Sequence, residues 1–188
     1  TKSNPNAEPL DGYQKYLKVF GDDLDATIWA GQIAKDVKQY PVAYEYFNRA
    51  VELSKAKNEV AKLETSLLSC IEVAELAKDK ELQARSYELY LASSKERNKA
   101  LEVQYQSARL VYEAGKHAAA AEALKAVAFS NEPGDATIKK QAADLSLDAL
   151  VLAKDDTLLE SWARDYAAKF PQHGQEFRAI ERKSILTQ

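Results

Sequence analysis

The sequence predicts an all-α protein: an α-solenoid of antiparallel helical hairpins, with about nine helices and a helix closing the carboxyl end. Three observations carry this. Apolar residues recur at helical spacing almost without interruption from Asp11 onward. No run of alternating β-branched residues is flanked by turn signals, so no strand is expected. The helical segments follow one another across very short connections, as hairpin repeats do.

The elements follow in order. Thr1 to Pro9 reads TKSNPNAEP, polar with two prolines, and is expected to be part of a linker over 1–10. Leu10-Asp11 offers a cap to a leading helix whose Tyr13, Tyr16, Leu17 and Phe20 fall on one face. Gly21-Asp22-Asp23 breaks the chain and supplies the next cap. A first hairpin over 24–57 turns at Gln39-Tyr40-Pro41, with Pro41 in a first helical turn where its missing N–H costs nothing. A second, over 59–96, opens with a long amphipathic helix to about Lys78, and Asp79 caps its partner. A third, over 97–134, turns at Gly115 and ends at the clearest break, Asn131-Glu132-Pro133-Gly134-Asp135. The fourth, over 135–171, uses Asp155-Asp156 as caps and stops at Phe170-Pro171. Residues 172–188 form the cap, with Phe177, Ile180, Ile185 and Leu186 opposite Arg178, Glu181, Arg182 and Lys183. Residues 11–188 are thus expected to be one helical domain.

Composition narrows the class. The 188 residues carry 26 basic and 29 acidic side chains, a formal charge of −3, which gives no overall attraction to nucleic acid or anionic membrane. A 46% hydrophobic, 29% charged balance fits a folded soluble protein. No apolar stretch approaches the roughly 18 residues a bilayer span requires, so no membrane insertion is expected. One cysteine excludes an internal disulfide framework and a Cys-based zinc site. The lack of methionine reads as a processed or excised chain, and its compartment stays open between a bacterial periplasm or envelope and the cytoplasm.

Within 24–57, Gly31, Ala34, Tyr40, Ala43, Phe47 and Ala50 stand at the small, aromatic and alanine positions of the tetratricopeptide repeat (TPR), which this hairpin resembles. Thr27 and Lys55 depart from the family's Trp and Pro. The third hairpin is a weaker match through Ala108, Val111, Gly115, His117, Ala120, Leu124 and Val127. The intervals Gly31–Ala74–Ala108–Leu147 are 43, 34 and 39 residues, so the array is irregular, with a lengthened helix expected around 59–67. The run ADLSLDALVLAKDD with WARDYAAKFP is similar to repeats of large bacterial envelope scaffolds, including those of gliding-motility machines.

Signs of catalysis are lacking. No HExxH, GxSxG, GxxxxGK or GxGxxG occurs, His117 and His173 lie far apart, and Cys70 falls in an apolar run that makes it a core residue. Acidic pairs such as Asp22-Asp23 read as helix caps rather than calcium ligands. No enzyme activity, metal or cofactor is expected. The TPR resemblance implies a concave groove lined by the first helix of each hairpin, and places Gln32 and Lys35, then Tyr105, Arg109 and Tyr112, then Gln141, Asp144 and Asp148 on it. Tyr105, Arg109 and Tyr112 share a helix face at i, i+4 and i+7, and Tyr and Arg are the residues that anchor interfaces. Ordinary inter-helix packing, with Arg109 paired to Glu113, is the competing reading of these three. The groove lacks the Lys/Asn carboxylate clamp of chaperone-binding TPR domains. The expected function is a non-catalytic scaffold for a partner protein or peptide. The alternatives are a self-stacking module of a larger bacterial envelope or motility assembly, and a helical enzyme or small-ligand receptor. Trp29 and Trp162 are both expected to be packing residues.

Overall fold

The computed structural model describes residues 7–187, and among these every regular element is helical. Ten α-helices form, together with one 3₁₀ turn: α1 (Ala7–Val19), α2 (Leu24–Asp36), α3 (Tyr40–Lys57), α4 (Val60–Ala77), α5 (Lys80–Ser93), α6 (Ala100–Glu113), α7 (His117–Ala128), α8 (Ala136–Ala153), α9 (Asp156–Lys169) and α10 (Gly174–Thr187), with the 3₁₀ turn at Pro171–His173. The count is one above the sequence expectation. Thr1–Asn6 lie outside the described residues, but Ala7–Leu10 of the expected linker are helical. Pro9 stands in the first turn of α1, where no N–H is needed. The chain falls into two compact units, residues 1–97 and 98–188, dividing where the second hairpin was expected to give way to the third.

Capping sets the helix starts. Asp23, Asp79, Asp135 and Asp155 each accept backbone N–H bonds from the first turn of α2, α5, α8 and α9. The Ala26 N–H and the Tyr16 hydroxyl hold the Asp23 carboxyl below its ordinary range.

The helix ends share a second device. Lys38, Asn58, Lys78, Gly115 and Lys154 all have φ between 54° and 75°, the left-handed region. After each, the next N–H closes on a carbonyl five positions back: Gln39 to Ala34, Glu59 to Ser54, Asp79 to Ala74, Lys116 to Val111 and Asp155 to Leu150. This is the Schellman closure, which satisfies carbonyls the helix end leaves open. Four of the five residues are not glycine, so the turns are invisible to a search for Gly punctuation.

The first unit packs α1 to α5 around small side chains. α2 and α3 pack together, and their buried faces carry Ala30, Gly31 and Ala34 against Ala43, Phe47 and Ala50. A Cβ at Gly31 would lie 2.9 to 3.1 Å from the Phe47 ring, so this approach requires glycine. Cys70 is fully buried in α4, and that burial pushes its thiol up to about 12. Polar groups in this core are bonded locally: Thr27 Oγ1 donates to the Asp23 carbonyl, and Ser86 Oγ donates to the carbonyls of Leu82 and Cys70. Glu64, only 8% exposed, accepts from Ser94 Oγ at 2.8 Å and from the N–H groups of Lys95 and Glu96 at 2.6 and 3.1 Å. Its carboxylate thereby anchors the segment that leaves α5.

The second unit is built on aromatics. Tyr166, Phe170 and Phe177 stand with ring centroids 5.6 to 6.3 Å apart, and Phe129 stacks on Tyr166 at 5.8 Å. The Tyr166 hydroxyl pairs with Ser146 Oγ at 2.7 Å. Trp162, 4% exposed, is the packing residue expected, with the Lys125 ammonium 4.3 Å from its ring centroid. Trp29, in the first unit, is 59% exposed and corrects the expectation made for it. Its position on α2 points away from the Ala30–Ala34 stripe that meets α3.

Candidate interaction groove between α6 and α8

Within the second unit, α6 and α8 are the first helices of successive hairpins and lie side by side. Between them runs an open groove of about 520 Å³ lined by Tyr105, Gln106, Arg109, Gln141, Asp144, Leu145 and Asp148. Helical spacing explains the grouping. Tyr105 and Arg109 are one turn apart on α6, and Gln141, Asp144 and Asp148 fall three and four apart on α8.

The α6 wall presents an arginine laid over an aromatic ring. The Arg109 guanidinium carbon sits 5.9 Å from the Tyr105 ring centroid. Its nitrogens donate to Gln106 Oε1 at 3.3 Å and pair with Glu113 at 3.4 Å, so the i,i+4 pairing expected as the competing reading is present. These contacts are long and solvated, and such pairs stabilise by only about 0.3–0.5 kcal/mol. Arg109 can therefore turn toward a partner at small expense.

The α8 wall is acidic. Lys140 holds Asp144 with 2.7 Å bonds and reaches Glu176 of α10 at 3.2 Å. Asp148 makes no hydrogen bond or ion pair with any described residue. Burial, and then the neighbouring Asp144 charge, push its carboxyl above the ordinary aspartate range. The groove thus offers an aromatic face, a mobile guanidinium, a free amide at Gln141 and an unpaired carboxylate.

Of the residues placed on the groove by sequence, Tyr105, Arg109, Gln141, Asp144 and Asp148 line it. Tyr112 does not. It packs against the core of its unit and meets the His117 ring edge-on at 5.3 Å, which closes the α6–α7 turn. Gln32 and Lys35 belong to the first unit. Gln32 Nε2 donates to Asp36 at 2.8 Å, and Lys35 pairs with Glu72 of α4 at 2.9 Å. Gln106 and Leu145 were missed. Gln106 was legible as the residue three before Arg109 on the same helix, and Leu145 as the apolar floor between Gln141 and Asp148.

Among the described residues no three His, Cys, Asp or Glu side chains converge as metal ligands, and no helix is long and apolar enough to cross a membrane. No protein-family model matches the chain, and no curated protein matches it in sequence.

Proposed function

We propose that the chain is a non-catalytic, TPR-like interaction scaffold that holds a segment of a partner protein in the α6–α8 groove. What supports this reading is the convergence of Tyr105, Arg109, Asp144 and Asp148 on one open groove between successive hairpins. Rigid helices position these side chains, and their Tyr and Arg content matches the anchors of protein interfaces. The groove is too open to shield a reaction from water, which argues for recognition rather than catalysis. The net charge of −3 argues against nucleic acid as the partner.

The test is co-purification of the partner with the full chain. Arg109→Glu combined with Tyr105→Ala reduces partner recovery more than tenfold while the thermal melt stays within a few degrees. Unchanged recovery by the double variant overturns the reading.

A further inference from the structure

A second surface lies on the first unit, between α1 and α2. Pro9, Tyr13, Tyr16 and Trp29 line an open groove of about 450 Å³ whose one end carries Asp23 and Asp25. Tyr16, Asp23 and Asp25 continue into an adjoining concavity of about 400 Å³ that adds Phe20, Asp22, Lys57, Glu59 and Lys62. The two form one strip, aromatic at one end and charged at the other. The Trp29 indole is exposed and its N–H has no partner among the described residues.

The charged end is unbalanced. Four carboxylates face two ammoniums, and both ammoniums are engaged within the chain. Lys62 pairs with Asp25 at 2.7 Å, and Lys57 donates to the Asp22 carbonyl at 2.6 Å. Asp23 is held by the Ala26 N–H and the Tyr16 hydroxyl. The carboxylates of Asp22 and Glu59 remain unpaired, and Glu59 does not use its side chain to cap α4. An occupant must therefore bring positive charge to Asp22 and Glu59 and apolar surface to Tyr13, Tyr16 and Trp29.

We infer that this strip docks an extended basic segment of another protein, with arginine or lysine side chains reaching Asp22 and Glu59 and their stems lying over Tyr16 and Trp29. Cations favour aromatic faces, long basic side chains cover apolar surface with their methylenes, and complementary charge steers the encounter. A neutral apolar segment would leave the two carboxylates desolvated without compensation. The inference stands on different residues from the α6–α8 groove, and either can fail alone.

The experiment is a fluorescence titration of the full chain with a capped hexapeptide of alternating Arg and Leu. The same peptide with Gln, and with Glu, in place of Arg provides the comparison. Trp29 is the reporter, and a Trp29→Phe variant identifies its signal against that of Trp162. The expected result is a saturable Trp29 change with the Arg peptide, weakened by added salt. Binding falls at least tenfold for the Gln peptide and at least tenfold in the Asp22→Asn, Glu59→Gln double variant. Both substitutions are at exposed sites, and an unchanged thermal melt verifies the fold. Equal binding of the Arg and Gln peptides, no binding of the Arg peptide, or insensitivity to the double variant overturns the inference. So does concentration-dependent self-association that is lost in Trp29→Ser, which would make the strip an interface between copies.

Discussion

The face formed by α2 and α4 and the face formed by α6 and α8 are built alike, yet only one is open. Both join the first helices of successive hairpins. On the first, Lys62 reaches Asp25 and Lys35 reaches Glu72, so charges of one helix are tied to the other at two points. On the second, Arg109 pairs along α6 and Lys140 pairs with Asp144 along α8 and with Glu176. Surface ion pairs contribute little to stability. Their direction nevertheless decides whether a polar face is closed on itself or left for a partner. The cores differ as well: alanine, glycine and serine with Phe47 in the first unit, an aromatic cluster in the second.

The largest expected effect comes from breaking the aromatic core. Phe177→Ala removes a fully buried ring that meets Tyr166 and Phe170 and carries the Lys140 ammonium at 4.9 Å. A loss of about 3–5 kcal/mol is expected in denaturant melts followed by Trp162 fluorescence. A loss under about 1 kcal/mol would mean that the aromatic cluster contributes less than its burial implies.

The small-residue core is tested in the opposite direction, by adding an atom. Gly31→Ala forces a methyl against the Phe47 ring, and overpacking of about 1–3 kcal/mol outweighs the roughly 1 kcal/mol that alanine gains in a helix. Gly12→Ala in α1 meets nothing within 4 Å and should stabilise by about 0.5–1 kcal/mol. Opposite signs for the two, read by Cys70 labelling and by thermal melts, are the expected outcome. Equal signs would show that the α2–α3 approach is not limited by Gly31.

The smallest effect sharpens the contrast between the faces. The Asp148 carboxyl is raised in the folded chain, so the folded state binds the proton more tightly than the unfolded one. Stability therefore falls as pH rises from the unfolded aspartate value through the raised folded value, and stays lower above it. Asp148→Asn removes this dependence and gives a small stabilisation at neutral pH, measurable as a melting temperature that no longer drops across that range. A wild-type melt that is flat through the acid range would show that the groove does not desolvate Asp148.

Much of the fold was legible because helical periodicity and aspartate caps are local signals. Asp79, Asp135 and Asp155 announce their helices, and the long α3 and α4, 18 residues each, account for the stretched interval between the first and second hairpins. The groove was legible in part. Tyr105 and Arg109 came from their shared helix face, and Asp144 and Asp148 from hairpin order. Tyr112 shares that face in sequence, but the angular drift over two turns carries it to the α7 side, where His117 receives it. Trp29 was misread because a tryptophan in an apolar-rich helix resembles core. The Ala30–Gly31–Ala34 stripe beside it was the signal that α2 buries a different face. The turns at Lys38, Asn58, Lys78 and Lys154 could not be read, since lysine carries no turn signature.

Those turns have a wider consequence. Lys38, Asn58 and Lys78 stand 20 residues apart, so the first unit keeps a constant stride while the residues at its joints vary. The joint is closed by main-chain atoms that every residue except proline supplies at the donating position. Substitution at the joints therefore erases the period from the sequence without erasing it from the backbone. A chain assembled in this way can diverge until its repeats no longer resemble one another, and still alternate helix and turn at the same interval.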